Sequence, residues 1–212
     1  MKILQQRTLI IFTKYPRPGL VKTRLIPVLG EIGAANLQQW MTAETLQKMQ
    51  SLSQDDIDIY IYFTGSSDRA MQEMFGDFNY CHQCTGNLGE RMFSAFSDLL
   101  GKVSTQVILI GCDCPDLTPN FIRQGFEQLN DRDLVLGKAA DGGYYLIGLK
   151  QVIPQLFQEI SWGSDLVLSQ TSKIAEKLSL SIAYLPILHD IDRPEDLNLL
   201  ASEYSTRATE PL

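Results

Sequence analysis

The sequence lacks the features that mark membrane proteins, secreted proteins and nucleic-acid-binding proteins. No stretch approaches the run of about 20 apolar residues that a membrane-spanning helix requires, and the first residues lack the pattern of a signal peptide. The formal net charge of −7 leaves no excess of basic residues for non-specific contacts with nucleic acid. The sequence therefore predicts a cytoplasmic protein with no nucleic-acid or membrane partner, and it leaves the oligomeric state unknown.

Several common catalytic motifs are also missing. The chain contains no Gly-x-Gly-x-x-Gly segment, no Gly-x-Ser-x-Gly segment and no phosphate-binding loop motif. These absences disfavour dinucleotide-dependent oxidoreductases, serine hydrolases and kinases that use such a loop. The chain has only 2 histidines, so a proton-transfer role would fall to a carboxylate such as Asp141.

The four cysteines form two close pairs, which raises the question of a zinc site. Cys81 and Cys84 lie in a predicted strand, and Cys112 and Cys114 are separated by a single residue. We therefore expect reduced, partly buried thiols, as is usual inside cells, and structural zinc is the less favoured alternative.

One buried strand is indicated by the four aliphatic residues 107–110, which Gly111 and Pro115 follow. A strand with one exposed face would alternate apolar and polar residues, so this run predicts a strand covered on both faces. Asp113 then lies just past the carboxyl end of the strand. Because ligands bind outside the carboxyl ends of strands in open α/β sheets, Asp113 is a candidate for holding a metal ion or a ligand hydroxyl.

Strand and helix patterns alternate along the rest of the chain. Further strands are predicted over residues 8–13, 57–63, 78–84, 133–137, 144–149 and 181–188. Helices are predicted over residues 32–51, 68–75, 85–100 and 165–178, and another is predicted to start after a Thr118 cap. No linker or repeat interrupts this order, so we expect one α/β domain over residues 1–212, a three-layer α/β/α sandwich with a mainly parallel sheet.

The loop after the first predicted strand concentrates positive charge in an acidic protein. Residues 14–24 include two prolines and Gly19, which disfavour regular structure, together with Lys14, Arg17, Lys22 and Arg24. Guanidinium and ammonium groups pair with phosphate oxygens, so a diphosphate ligand is the favoured explanation. A solvated basic loop is the alternative.

Three more carboxylates follow predicted strands. Asp141 lies in a turn, where it either caps its own backbone or meets a sugar hydroxyl, a metal or an acceptor. Asp190 either joins Asp113 around a divalent cation or holds the preceding loop. Asp192 and Glu195 have the spacing of a helix capping box. The basic loop, Asp113 at its strand end and the glycine-bearing turns together indicate metal-assisted transfer from a nucleotide diphosphate.

Five segments resemble a known family. They are FTKYPRPGLVKTRL at residues 12–25, LGERM at 88–92, GCDCPD at 111–116, DGGYYLIG at 141–148 and DIDRPEDL at 190–197. Together they resemble the radical-SAM/selenodomain-associated transferases of family 1, a branch of the GT-A nucleotide-diphospho-sugar transferase superfamily. The resemblance covers nearly the whole chain.

The resemblance implies a Rossmann-like GT-A fold that binds a nucleotide or nucleotide-sugar donor. In such a fold the segment around Gly89 and Arg91 lies near the nucleotide. The first loop is expected to hold the nucleotide phosphates through Arg17, Gly19, Lys22 and Arg24.

The resemblance also implies dependence on Mg²⁺ or Mn²⁺, with Asp113 as the metal-binding carboxylate. Asp113 and Asp141 are the predicted catalytic residues, with Asp141 facing the sugar or acceptor, and Asp190 is the second candidate metal ligand. The predicted function is a metal-dependent glycosyltransferase that uses a nucleotide-sugar donor and an unknown acceptor. The alternatives are a nucleotidyltransferase that releases pyrophosphate from an NTP and a nucleotide-binding module without catalytic activity.

Overall fold

A seven-stranded sheet forms the middle layer of the protein in a computed structural model that describes residues 6–200. The strands are β1 (Arg7–Lys14), β2 (Ile57–Thr64), β3 (Asn79–His82), β4 (Gln106–Ile110), β5 (Leu134–Ala139), β6 (Tyr144–Leu149) and β7 (Ile182–Leu188). Their order in the sheet is β3-β2-β1-β4-β6-β5-β7, and only β6 runs antiparallel to its neighbours β4 and β5 within the described part of the chain. The predicted mainly parallel sheet is confirmed. The domain prediction over residues 1–212 extends beyond the described residues at both ends.

Five α-helices within residues 6–200 cover the two faces of the sheet. They are α1 (Ile26–Met49), α2 (Asp68–Phe75), α3 (Leu88–Leu99), α4 (Pro119–Asp131) and α5 (Val167–Lys177). Short 3₁₀ turns occupy Thr23–Leu25, Gln50–Asp55, Pro154–Phe157 and Pro194–Leu199. None of the helices among the described residues has both the length and the apolar character needed to cross a membrane.

The central strand β1 shows why the molecule has three layers. Successive side chains of a strand point to opposite faces. Leu9 and Ile11 belong to a buried cluster that includes residues of α1, α2 and α4. Ile10 and Phe12 belong to a second cluster, which includes residues of α3 and α5. Both faces of the sheet are therefore covered, as the unbroken apolar runs of β1 and β4 predicted, and the three-layer α/β/α fold is confirmed.

The strand directions bring several loops to one edge of the sheet. β4 runs parallel to β1, and β7 runs parallel to β5. Because β6 is antiparallel to both β4 and β5, the turn that joins β5 to β6 also lies at the carboxyl ends of β1 and β4. The basic loop after β1 therefore shares this edge with the loops that carry Asp113, Asp141 and Asp190.

Two predicted helix caps differ from the structure. The capping box that pairs Asp192 with Glu195 is wrong, because Asp196 accepts hydrogen bonds from the backbone N–H groups of Asp192 (3.0 Å) and Arg193 (2.7 Å). The segment is a tight 3₁₀ turn rather than an α-helix, and it brings Asp196 to these donors. Thr118 does precede α4, but its side chain forms no capping hydrogen bond.

Three predicted helix starts also differ. α3 begins at Leu88 rather than at residue 85, and the Asn87 side chain caps it. α1 begins at Ile26 rather than at residue 32, with Pro27 in its first turn and an interruption at Gly30, whose φ is 70°. Proline is well tolerated in the first turn of a helix, and glycine adopts positive φ at little cost. α5 begins at Val167 rather than at residue 165, and the hydroxyl of Ser164 accepts a hydrogen bond from the Leu166 N–H at 3.3 Å.

We expect Phe126→Ala to destabilise the protein by about 3–5 kcal/mol, because it leaves a cavity in a well-packed core. Phe126 lies on α4 and is fully buried against the sheet. Leu166→Ala is the control, since Leu166 is largely exposed, and it should change the free energy of unfolding by less than about 1 kcal/mol. Urea unfolding followed by circular dichroism measures both changes. A loss in Phe126→Ala no larger than that in the control would contradict this packing.

Candidate active site

A cleft of about 520 Å³ opens at the carboxyl ends of β1, β4 and β5. Its walls carry charges of both signs. The cations that line it include Lys14, Lys22, Arg24 and Arg91. The carboxylates that line it include Asp113, Asp141, Asp190 and Asp192. The edge of the sheet that the sequence indicated as a ligand site therefore contains a real cavity.

A larger depression, of about 710 Å³, lies at the amino end of β2 beside Asp56, Asp58 and Asp77. No cation is among the described residues that line it. It is therefore unsuited to binding phosphate, and the candidate active site is the smaller cleft at the opposite edge.

Lys22 ties three loops together inside the cleft. Its Nζ donates a hydrogen bond to Asp113 Oδ1 at 2.6 Å and another to the carbonyl oxygen of Ile191 at 2.5 Å. The Ile191 N–H donates to the carbonyl oxygen of Asp113 at 2.8 Å. The Lys22 side chain is only 4% exposed, whereas that of Asp113 is 51% exposed. The loop after β1 is therefore anchored to the loops after β4 and β7.

Arg24 forms a second link between the same loops, because its guanidinium pairs with the carboxylate of Asp192. Both side chains are partly exposed to solvent, so this ion pair contributes little to stability. Its significance is positional, since it holds a further cation at the rim of the cleft.

The remaining residues of the predicted phosphate loop divide into two groups. Lys14 is exposed at the end of β1 and lines the cleft with Lys22 and Arg24. Arg17 is exposed and does not line the cleft. Gly19 has a φ of 79°, and a Cβ built there would lie 3.4 Å from the Glu31 carboxylate. The structure therefore brings three of the four cations together, and phosphate binding by any of them stays a prediction.

Arg91 reaches the cleft from the first turns of α3. Its Nη1 donates to Gln83 Oε1 at 3.2 Å, and its Nε donates to the Asn87 carbonyl oxygen at 3.3 Å. The Gln83 amide nitrogen donates in turn to the carbonyl oxygens of Tyr62 at 2.9 Å and Thr13 at 3.3 Å. Gln83 therefore fixes the guanidinium relative to β1 and β2. Sequence reasoning missed Gln83, since a single amide just after a short edge strand carries no distinguishing pattern.

Gly89 is required by packing. A Cβ at this position would lie 2.4 Å from the Phe157 carbonyl oxygen and 2.7 Å from Trp162 Nε1. Trp162 lines the cleft and makes an edge-on contact with Tyr144, with the ring centroids 6.5 Å apart. The close approach of α3 to Trp162 thus shapes the apolar wall of the cleft. Gly89 itself is buried, and its predicted nucleotide contact stays a prediction.

Asp141 lies in the turn between β5 and β6 and caps its own turn. Its Oδ1 accepts a hydrogen bond from the Gly143 N–H at 2.8 Å. The same side chain lines the cleft. The prediction that Asp141 caps its own backbone turn is therefore confirmed, and the carboxylate still lines the cleft.

Asp190 is partly buried among other carboxylates. Its pKa is raised to about 6, mainly by burial and in addition by the negative charges of Asp141, Asp113 and Asp192. Like charges held close together disfavour ionisation, and a bound cation relieves this repulsion. The crowding of these carboxylates is thus the electrostatic condition in which a cation binds favourably.

Asp113 and Asp190 are the candidate ligands for a divalent cation in the cleft. Within residues 6–200, no group of three or more His, Cys, Asp or Glu side chains is arranged to hold a metal ion. Mg²⁺, however, commonly takes one or two protein carboxylates, with water and substrate phosphates completing its coordination. Asp113 and Asp190 offer oxygen ligands of this kind, so the residues fit a metal shared with a phosphate ligand.

The cysteines beside Asp113 are packing residues. All four cysteines of the chain are free, and Cys112 and Cys114 are buried. The pKa of Cys112 is raised to about 12, mainly by burial and in addition by the nearby negative charge of Asp113. A protonated thiol is a poor nucleophile and a poor metal ligand.

Comparison with protein families places the chain in one of them. The model of the family described as "Uncharacterized protein conserved in bacteria" (DUF2064) matches residues 45–164, which is more than half of the chain. The chain belongs to this family. A search of curated protein sequences finds no match.

Among solved structures, the protein is similar to a proposed nucleotide-diphospho-sugar transferase from Desulfovibrio desulfuricans G20. The two are 32% identical with a TM-score of 0.87, over 94% of this chain and 88% of that chain. The predicted Rossmann-like fold of the nucleotide-diphospho-sugar transferases is therefore confirmed. The narrower resemblance to the radical-SAM-associated transferases stays a prediction.

Two more distant structures share the fold alone. One is 4-diphosphocytidyl-2C-methyl-D-erythritol synthase from Anaerococcus prevotii DSM 20548, with 14% identity, a TM-score of 0.61 and coverage of 96% of this chain and 97% of that chain. The other is Rv0371C from Mycobacterium tuberculosis H37Rv in complex with manganese, with 15% identity, a TM-score of 0.54 and coverage of 92% and 97%.

We expect Gly89→Ala to destabilise the protein by about 1–3 kcal/mol, because the new methyl group collides with a backbone carbonyl and the Trp162 ring. At an unhindered helix position the same change is stabilising. Gly33→Ala in α1 is the matched control, since its Cβ would meet only the Leu29 Cβ, at 3.1 Å. Thermal unfolding and tryptophan fluorescence measure the effect. Equal stability of the two variants would contradict the close approach.

We expect Asp190→Asn to stabilise the protein above pH 6. The pKa of Asp190 is raised on folding, so its contribution to stability is full below about pH 4 and is lost as the pH rises through about 6. The gain should be roughly 1–2 kcal/mol at pH 7, less than the full shift implies because the group is only partly buried.

Urea unfolding at several pH values in the presence of a chelator measures this gain. Asp116→Asn is the control, because Asp116 is exposed and does not line the cleft. A gain that is independent of pH, or one that the control also shows, would contradict the assignment to Asp190.

Proposed function

We propose that this protein is a metal-dependent glycosyltransferase that uses a nucleotide-sugar donor. The fold supports the proposal, as does the 32% identity to the proposed nucleotide-diphospho-sugar transferase from Desulfovibrio desulfuricans G20. Fold alone does not determine function, so the argument depends on the chemistry of the cleft.

The observation that carries the proposal is that cations and carboxylates face one another in one cleft at the carboxyl ends of the strands. Lys14, Lys22 and Arg24 supply positive charge for the two phosphates of a nucleoside diphosphate. Asp113 and Asp190 supply oxygen ligands for a cation beside those phosphates. A site for uncharged ligands would need neither set.

Asp113 and Asp190 are the residues that would hold Mg²⁺ or Mn²⁺. When bound, such a cation neutralises the negative charge that develops on the departing nucleoside diphosphate. The manganese complex of Rv0371C, a protein with the same fold, supports this choice of metal. Lys22 and Arg24 would stabilise the same developing charge from the protein side, because both side chains line the cleft.

Glycosyl transfer breaks the bond between the anomeric carbon and the oxygen of the terminal phosphate, which leaves with the nucleoside diphosphate. The acceptor oxygen bonds to the anomeric carbon and gives its proton to a base, for which the Asp141 carboxylate is our candidate. Asp141 is our candidate for holding a sugar or acceptor hydroxyl, since its carboxylate lines the cleft. Arg91, fixed by Gln83, is our candidate contact for the nucleotide.

A second candidate function is nucleotidyl transfer, which breaks the bond between the α- and β-phosphates of an NTP and releases pyrophosphate. The fold shared with 4-diphosphocytidyl-2C-methyl-D-erythritol synthase favours this alternative. A cationic loop serves both reactions equally well, so the leaving group distinguishes them.

A panel assay separates the candidates. The protein is incubated with Mn²⁺, a set of sugar nucleotides or NTPs, and candidate acceptors, and the released nucleotide is identified. A nucleoside diphosphate supports glycosyl transfer, and pyrophosphate supports nucleotidyl transfer. If neither product forms across a wide panel, the result supports a nucleotide-binding module without catalytic activity. A cytoplasmic location without nucleic-acid or membrane partners belongs to the same proposal.

We expect a nucleoside diphosphate to raise the melting temperature by about 5 °C in saturating Mn²⁺, because ligands that bind the native state stabilise it. Asp113→Asn should remove most of this rise and lower any transferase activity at least about 100-fold. Asp116→Asn is the control, since it removes an exposed carboxylate three residues away that does not line the cleft. Full metal-dependent stabilisation in Asp113→Asn would rule out Asp113 as the metal ligand.

A further inference from the structure

The Lys22 ammonium is a cation held between two oxygen atoms of other loops. Its Nζ lies 2.6 Å from Asp113 Oδ1 and 2.5 Å from the carbonyl oxygen of Ile191. The Lys22 side chain is almost completely buried, although the Asp113 carboxylate beside it is half exposed. The ammonium is therefore enclosed on the cleft wall, whereas both side chains of an ordinary surface salt bridge are solvated.

The two oxygens that contact Lys22 are of the types that divalent cations prefer. Carboxylate and backbone carbonyl oxygens are the usual protein ligands of hard cations. Their relative position is held by a separate hydrogen bond, 2.8 Å long, from the Ile191 N–H to the Asp113 carbonyl oxygen. Asp141 and Asp190 line the same cleft, which adds to the negative charge near these two oxygens.

We propose that the Asp113 carboxylate and the Ile191 carbonyl oxygen form the cation site of this protein, and that the Lys22 ammonium occupies it until a divalent cation displaces it. The displaced Lys22 then pairs with the phosphates of the donor. The inference rests on the proposed function, because it assigns a metal site to the same cleft. It adds a backbone ligand, Ile191, and a competitor for the metal, Lys22.

Two cations cannot share Asp113 Oδ1 at contact distance without strong mutual repulsion. A metal that binds alone must therefore drive Lys22 out of a buried, doubly hydrogen-bonded position. A donor phosphate gives the displaced ammonium a new partner, so it reduces that cost. Metal and nucleotide binding are consequently coupled, and the coupling acts equally in both directions.

Measuring metal binding without any nucleotide tests the competition between Lys22 and the metal, because no phosphate is then present to contact the metal directly. Mn²⁺ is titrated into the metal-free full-length protein, and the unbound Mn²⁺ is measured by electron paramagnetic resonance. Lys22→Met should bind Mn²⁺ at least about tenfold more tightly than the wild type, because the competing ammonium is gone. Lys22→Met/Asp113→Asn should lose this gain.

Arg17→Met is the matched control, since it removes one positive charge from the same loop at an exposed position outside the cleft. It should change Mn²⁺ affinity less than about threefold, because exposed charges are screened by solvent and salt. Unchanged or weaker Mn²⁺ binding in folded Lys22→Met, or an equal gain in Arg17→Met, overturns the inference. So does the absence of Mn²⁺ binding at millimolar concentration in both wild type and Lys22→Met.

A second measurement needs no variant. Amine acylation followed by mass spectrometry should modify Lys22 slowly in the metal-free protein, and Mn²⁺ alone should increase the rate at least about tenfold as Lys22 leaves its buried position. Lys14 is exposed and serves as the internal control. A Lys22 rate unaffected by saturating Mn²⁺ overturns the inference even where sugar transfer is observed. If Mn²⁺ releases Lys22 but no donor is turned over, the inference stands and the transferase proposal fails.

Discussion

Burial of the central strands on both faces is the constraint on which the rest of the molecule depends. β1 pairs in parallel with β2 and β4, and its side chains enter two separate cores on opposite faces of the sheet. Parallel strands need long crossovers, which the helices supply, and they place their carboxyl ends at one edge. The cleft exists because this edge gathers loops from distant parts of the chain.

The electrostatics of the cleft follow from that gathering. A lysine from the first loop, a carboxylate after β4 and a carbonyl oxygen after β7 come within hydrogen-bond distance, although Lys22 and Ile191 are 169 residues apart. Arg24 and Asp192 repeat the pattern at the rim. Each pairing neutralises a charge that is expected to act on a ligand. A ligand that binds in the cleft would exchange these two pairs for new ones.

Much of this arrangement could be predicted from the chain. The apolar runs identified β1 and β4, because a strand buried on both faces must be continuously apolar. The position of Asp113 after β4 placed it at the ligand-binding edge, and the density of cations after β1 indicated a charged site. Local patterns were less reliable at helix ends. There Asp196 rather than Glu195 caps the final turn, since a 3₁₀ turn places its donors differently from an α-helix.

The sequence by itself determined the layered α/β fold, the edge of the sheet at which the cleft lies and the acidic and basic residues that reach it, because these depend on periodicity and on position relative to strand ends. Only the tertiary structure decided which charges pair. Lys22 rather than Arg17 enters the cleft, Gln83 fixes Arg91, and Gly89 is required by Trp162. These contacts join residues far apart in sequence, and no local pattern specifies the distance between two side chains brought together by the sheet.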